Sequence, residues 1–263
     1  MKVIGFAQLR NELEKGNLTN WFRCMMPLCD FIYIFDQNSI DDSLSQYKKY
    51  PNTVVIESPT NRFTDESRCK QELLRKIKTD HPDATHIFWM DGDTLVDGRL
   101  LKNDGMEFKT LCDRLSNDTT DAYSFGHKNL WRSDVYERLD DSFDWLDHHG
   151  VCSLWKFSMD IAFDTSGGLH RRAHPQTINT IRKSNYSLVH RGFATDYQII
   201  TKYEVYKGNG QTGWALERLL DEKELVVRRI PDEMLPDWFE ITDEVDPKNK
   251  RKIREIYNEL PRD

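Results

Sequence analysis

The sequence predicts an α/β fold: a mostly parallel sheet with helices on both faces, followed by a less regular second half. Three observations carry that reading. Short apolar runs alternate with helix-like segments through the first half of the chain. Each of those runs ends in polar or charged residues, and from about Tyr123 the alternation gives way to short aromatic and charged stretches. With 263 residues, 38% hydrophobic and 11% aromatic, the chain can bury a sizeable core, as one large domain or as a core with a smaller lobe. Its 37 basic and 44 acidic residues leave a net charge of −7, which argues against a broad cationic surface for nucleic acid.

Residues 3–7 read as the first strand, because polar Gln8 arrives too soon for the apolar core of a signal peptide. Apolar runs at 31–35, 53–56 and 86–90 supply three further strands, separated by helix-like segments at 17–29, 41–50 and 64–79. In such sheets ligands bind at the carboxyl ends of the strands, so 8–12, 36–39, 57–61 and 91–93 should share one edge. Helices follow at about 194–206 and 212–221, and the strongly charged stretch 246–263 reads as a solvated terminal helix. Its basic run 248–252 is flanked by Asp243, Glu244, Asp246, Glu255 and Glu259, so local neutralisation outweighs contact with a membrane or polyanion.

No run nears the ~18 apolar residues of a membrane span, so stable membrane insertion is not expected. Cys24, Cys29, Cys69, Cys112 and Cys152 are odd in number and lack CxxC spacing. They suggest neither a disulfide framework nor a zinc knuckle, and a cytoplasmic location fits them. Asn-x-Ser/Thr matches at Asn17, Asn117 and Asn185 read as chance, and there is no internal repeat.

The fourth strand delivers Asp91-Gly92-Asp93 onto its carboxyl end. Carboxylates at i and i+2 share a face, and the glycine between them permits a turn with close ligand approach. Such a pair suits a hard divalent cation that also holds phosphate oxygens; the plainer alternative is an acidic turn that caps the next element. Asp36, ending the second strand before Gln37-Asn38-Ser39, could accept hydrogen bonds from a nucleobase imide or ribose hydroxyl, or simply form an Asx-turn.

Together, Gln8-Leu9-Arg10-Asn11-Glu12, Asp36-Gln37-Asn38-Ser39 and Asp91-Gly92-Asp93 resemble, in order and spacing, the Arg-Asn-Glu, Asp-x-x-Ser and Asp-x-Asp series of family 2-like, GT-A-fold glycosyltransferases. Asn61-Arg62-Phe63 and Arg68 are similar to the family's segment carrying a basic residue towards the donor. Val189-His190-Arg191-Gly192-Phe193, with Lys202 beyond, resembles its His-aromatic-Gly segment before a lysine-bearing helix, with Arg191 where an aromatic is more usual. The resemblance implies a GT-A-like (Rossmann-like) fold, with a nucleotide-sugar donor part at 1–125, an acceptor part of the same domain at 126–235 and a charged tail at 236–263. It implies a UDP- or GDP-sugar donor, a hydroxyl acceptor and inversion. Gln8, Asn11, Glu12, Asp36, Arg68 and Asp91 would contact the donor, while Asp91, Asp93 and His190, with His170 as competitor, would hold Mn²⁺ or Mg²⁺. A general base is then needed, and Asp144 is the first choice with Asp141 second. Both belong to the acidic cluster Asp140, Asp141, Asp144 and Asp147 around Trp145, which could equally form a solvated face.

Two other classes stay open. A haloacid-dehalogenase-like phosphohydrolase would use Asp91 as nucleophile and Asp93 as acid/base, but Leu95 stands where its motif needs threonine. A non-catalytic nucleotide-sugar-binding protein would keep the donor site alone. A sugar nucleotidyltransferase is disfavoured, because 7–12 contains no glycine-rich phosphate loop.

Overall fold

The computed structural model describes residues 1–140, 143, 145–166 and 174–261. In chain order they form β1 (Val3–Leu9), α1 (Leu18–Met25), β2 (Phe31–Asp36), α2 (Ser43–Tyr47), β3 (Thr53–Glu57), α3 (Glu66–Asp80), β4 (His86–Trp89), β5 (Thr94–Val96) and α4 (Gly98–Asn117). There follow β6 (Ala122–Asn129), β7 (Tyr136–Arg138), α5 (Trp145–His149), β8 (Val151–Lys156), β9 (Ile181–His190), α6 (Asp196–Gly208), α7 (Trp214–Glu217), β10 (Val227–Arg229) and α8 (Ile253–Glu259).

One eight-stranded sheet runs β3-β2-β1-β4-β8-β6-β9-β5. It is parallel from β3 to β4 and again between β6 and β9, and antiparallel at its other pairings. The α/β architecture with helices on both faces is therefore the one the sequence implies. Alternation along the strands divides the core between the two faces. Val3, Ala7 and Leu9 of β1 pack with Leu18, Trp21, Phe22 and Met25 of α1 and with α4. Ile4 and Phe6 face the other way, onto Cys69, Leu73, Leu74 and Ile77 of α3. A third cluster, built on Trp131, Phe143, Phe193, Tyr203 and Leu220, seats α6, α7 and α8.

Several elements differ from expectation for local reasons. α1 ends at Met25 rather than at 29: Met26 is still helical, but Pro27 has no N–H with which to continue the ladder. α7 is a single turn, preceded by Gly210 and Gly213 with positive φ. α4 is interrupted by Asn103, Asp104 and Gly105, all left-handed. The tail is not one solvated helix: Pro247–Asn249 forms a 3-10 turn, an extended link follows, and Ile253 of α8 is fully buried. Cys24, Cys69, Cys112 and Cys152 are buried and Cys29 half-buried, all as free thiols. No helix among the described residues is long and apolar enough to cross a membrane.

Candidate active site

β4 lies at the centre of the sheet, and the turn after it brings Asp91 and Asp93 to its carboxyl end. Gly92 is required there, since a Cβ would lie 2.7–2.8 Å from Glu12 Cδ and Cγ and from Leu9 Cδ2. The chain then pairs as β5 with the end of β9, in a register that sets Thr94 opposite His190. The Arg191 amide donates to the Asp93 carbonyl at 2.7 Å, so the backbone locks the imidazole beside the second carboxylate.

The chemistry of His190 follows from its partners. Asn129 Nδ2 donates to the Phe143 carbonyl at 2.8 Å, which orients the amide so that Oδ1 faces His190 Nδ1 at 2.9 Å. Nδ1 therefore carries the proton and donates, and Nε2 presents its lone pair. Burial lowers the pKa of His190 and so favours this neutral form, against the pull of Asp93. Nε2 stands 3.2 Å from Asp93 Oδ2, two acceptors face to face. What holds them together is Lys202 Nζ, 3.2 Å from the carboxylate and 3.3 Å from the imidazole. Burial tends to lower the Lys202 pKa, but Asp93 reverses that and the net shift is upward, so the ammonium stays charged. For Asp93 itself, burial works upward, while the charged Lys202 ammonium at 3.2 Å pulls the carboxyl down.

Gly192 completes this cluster: a Cβ there would collide with Lys202 Nζ, Asp93 Oδ2 and His190 Nε2 at once. The His127 ring packs on His190 with centroids 4.9 Å apart. His127 Nδ1 and Thr94 Oγ1 are both buried without a hydrogen-bond partner. Asp91 keeps an open face to solvent. Its carboxyl is raised, first by the protein that walls it from bulk water and then by Asp93, while Lys70 opposes the shift.

One strand beyond β1, Asp36 is buried at the end of β2 and accepts from the Ser39 amide at 2.9 Å and the Ser39 hydroxyl at 2.6 Å. The Asx-turn is thus formed, and Asp36 still lines a concavity of about 390 Å³ together with Asn38, Ser39, Leu44, Glu57, Ser58 and Pro59. That volume lies within the range of small-molecule sites. Asn11 stitches the first strand end to this wall: its amide donates to Ser39 Oγ at 3.0 Å and its Oδ1 accepts from Ile40 at 2.9 Å. Glu12 is buried against Lys15 at 2.7 Å and Asn17 at 3.0 Å. Gln8 Nε2 donates to the Glu66 carbonyl at 3.2 Å.

Arg68 lies on the exposed side of α3, its Nε 3.5 Å from Asp65. The basic residue on the inner side is Lys70, 1% exposed, 2.5 Å from Glu66 and 3.9 Å from the centre of the Trp89 ring. It could have been found in the sequence, because it falls on the face of α3 shared by Glu66, Leu73, Leu74 and Ile77, where a lysine is out of place. Asn129 and His127 carry no such signal. Of the acidic cluster, Asp140 pairs with Arg138 at 2.7 Å and Asp147 with Lys128 at 2.6 Å. Asp141, Asp144 and His170 lie outside the described residues.

Among the described residues no three His, Cys, Asp or Glu side chains gather as a metal-binding group. Asp93 and His190 nonetheless fit two positions on one divalent ion. Their 3.2 Å spacing is close to the ~3 Å between neighbouring ligands of an octahedral ion with bonds of ~2.1 Å. The Asn129 hydrogen bond fixes the tautomer that such ligation needs.

No family model matches the sequence, and no curated protein matches it. Among solved structures the chain is similar to S. aureus TarS in complex with UDP, at 13% identity over 84% of this chain and 70% of that one, with a TM-score of 0.48. It is also similar to a mannosyltransferase from Pyrobaculum calidifontis in complex with GDP-Man and Mn²⁺, at 13% identity over 82% and 66%, TM-score 0.44. For a mycobacterial protein the figures are 14% over 49% and 41%, TM-score 0.34. The chain spans less than two thirds of the length of the latter two.

Proposed function

We propose that the chain is a nucleotide-sugar-dependent glycosyltransferase that moves a sugar from a UDP- or GDP-linked donor to a hydroxyl acceptor with inversion. The observation that carries this reading is the cluster of Asp93, His190 and Lys202 at the end of the central strand β4, two strands from the Asp36 concavity at the end of β2. A nucleoside in that concavity, against Asp36 and the wall stitched by Asn11, directs its diphosphate towards the cluster. Gln8, Glu12 and Asp91 support or face the donor from the strand ends, and Arg68 approaches from the rim.

Sugar transfer leaves negative charge on the departing diphosphate, and the site needs cations where that charge develops. Lys202 and Lys70 are two such cations from the chain. A Mn²⁺ or Mg²⁺ ion held by Asp93 and His190, with Asp91 or His170 completing the set, would supply Lewis-acid charge at the same point. The acceptor enters from the 126–235 side, where Asp144, or failing it Asp141, takes the hydroxyl proton as the new bond forms on the opposite face of the sugar.

The test is thermal stability against nucleoside diphosphates, nucleotide sugars and phosphate esters, each with Mn²⁺, Mg²⁺ or EDTA. A ligand that binds only the folded state raises Tm by mass action. A Tm rise with one nucleotide, enhanced by Mn²⁺, is expected. No response to any nucleotide, together with turnover of phosphate esters, would overturn the reading in favour of a phosphohydrolase.

A further inference from the structure

A neutral imidazole nitrogen has one lone pair. His190 Nδ1 is committed as a donor to Asn129, so Nε2 can accept from the Lys202 ammonium or ligate a metal ion, but cannot do both. Asp93 Oδ2 receives the same ammonium at 3.2 Å. A Cβ at Gly192 would meet all three atoms, so on that side of the cluster there is no room for a second cation. Lys202 is held from behind by the Phe193 ring, 4.4 Å from its Nζ, and by a helix whose start is fixed by a reciprocal capping box.

We propose that Lys202 is a displaceable internal cation that competes with the divalent ion for Asp93 and His190, so that metal and nucleoside diphosphate load together. This rests on the donor reading above. With no phosphate present, an incoming ion must evict a charge held by two partners and then sit close to it. A diphosphate changes the balance, because its oxygens offer the ammonium a new anionic partner while adding ligands to the ion. Each ligand then tightens the other by the same factor. Lys202 thereby guards Asp93 against stray cations and reports the arrival of a donor.

The experiment is Mn²⁺ binding, followed by the loss of the free-ion electron paramagnetic resonance signal, to the wild type, Lys202→Met and Lys202→Arg, each with and without UDP or GDP. The wild type should bind Mn²⁺ weakly alone and more tightly with the nucleotide. Lys202→Met should bind Mn²⁺ alone at least about tenfold more tightly than the wild type, since a like charge has left the site, and its enhancement by nucleotide should shrink. Lys202→Arg, which keeps the charge, should stay near the wild type. Lys202→Gln repeats the test should the methionine variant not fold. If the wild type binds Mn²⁺ with nucleotide but removal of the lysine charge leaves binding without nucleotide unchanged, the competition is disproved and the metal site stands. If no folded variant binds Mn²⁺ even with nucleotide, the metal site itself falls and the competition with it.

Discussion

At Gly192 one methyl group decides whether the cluster can exist, because the three atoms it would strike belong to three different elements or turns. Gly192→Ala should therefore abolish Mn²⁺-dependent nucleotide binding in calorimetry while the protein stays folded. Asp93→Ala should do the same by removing the carboxylate. Asp144→Asn is expected to spare nucleotide binding and to lower turnover by about 10²–10⁴, the usual worth of a general base. Full turnover in that variant would reassign the base. A residue away from the cluster contributes to the pH dependence of stability. His86, at the start of β4, is buried between Thr85 Oγ1 at 3.0 Å and Ser116 Oγ at 3.2 Å, and burial pushes its pKa down to about 4. The unfolded chain takes up this proton nearer ~6.5, so protonation favours unfolding. The stability linked to His86 is whole above about pH 6.5 and falls by up to about 3 kcal/mol as the pH drops towards 4. Denaturant titrations at three pH values should show this slope in the wild type and a shallower one in His86→Gln.

At the scale of elements, the first four strands are legible because each is a short apolar run that ends in polar residues. Their ends hold Asp36, Asp91 and Asp93, which are readable as well, whereas His190 and Lys202 are reached only through the family resemblance. β6 is hidden for a physical reason: all eight of its residues are buried, yet Ser124, His127, Lys128 and Asn129 are polar, so neither an apolar run nor a clean alternation shows. Lys128 is accommodated by Asp147 and Glu137, partners that lie beyond its own strand. β9 pairs parallel to β6, a long-range register that local sequence does not encode. Asn129 and His190 meet only through that register. α4 is hidden as well, since its left-handed interruption breaks the helical period. α6 is the element that presents Lys202, and its start rests on Thr195, whose side chain accepts from the Gln198 amide at 3.2 Å. Thr195→Ala should cost about 1 kcal/mol of stability in denaturant unfolding.

Across the whole molecule, the two faces of the sheet carry separate cores, and the third core fastens the lysine-bearing helix to the rest. The tail belongs to that third core. Ile253 is buried in it and donates its amide to Glu222 at 2.8 Å, and Glu222 in turn meets Arg132 and the Trp131 indole. Lys250 reaches the Arg132 carbonyl and Asp243. Removing 246–263 should lose the buried side chain of Ile253, worth ~1.5–3 kcal/mol, and one of the hydrogen bonds to Glu222, which keeps Arg132 and the Trp131 indole. A Tm loss of roughly 5–10 °C is the expected result in a melting scan, at ~2–4 °C per kcal/mol. The cysteines add a last consequence. Cys24 in α1, Cys69 in α3, Cys112 in α4 and Cys152 in β8 belong to four different elements, and burial raises each thiol, to about 11 for Cys69 and about 12 for the others. A thiol reagent at neutral pH should thus leave these four unmodified until one layer parts from the sheet. The order in which these four sulfurs become alkylated would then serve as a stopwatch for which layer opens first.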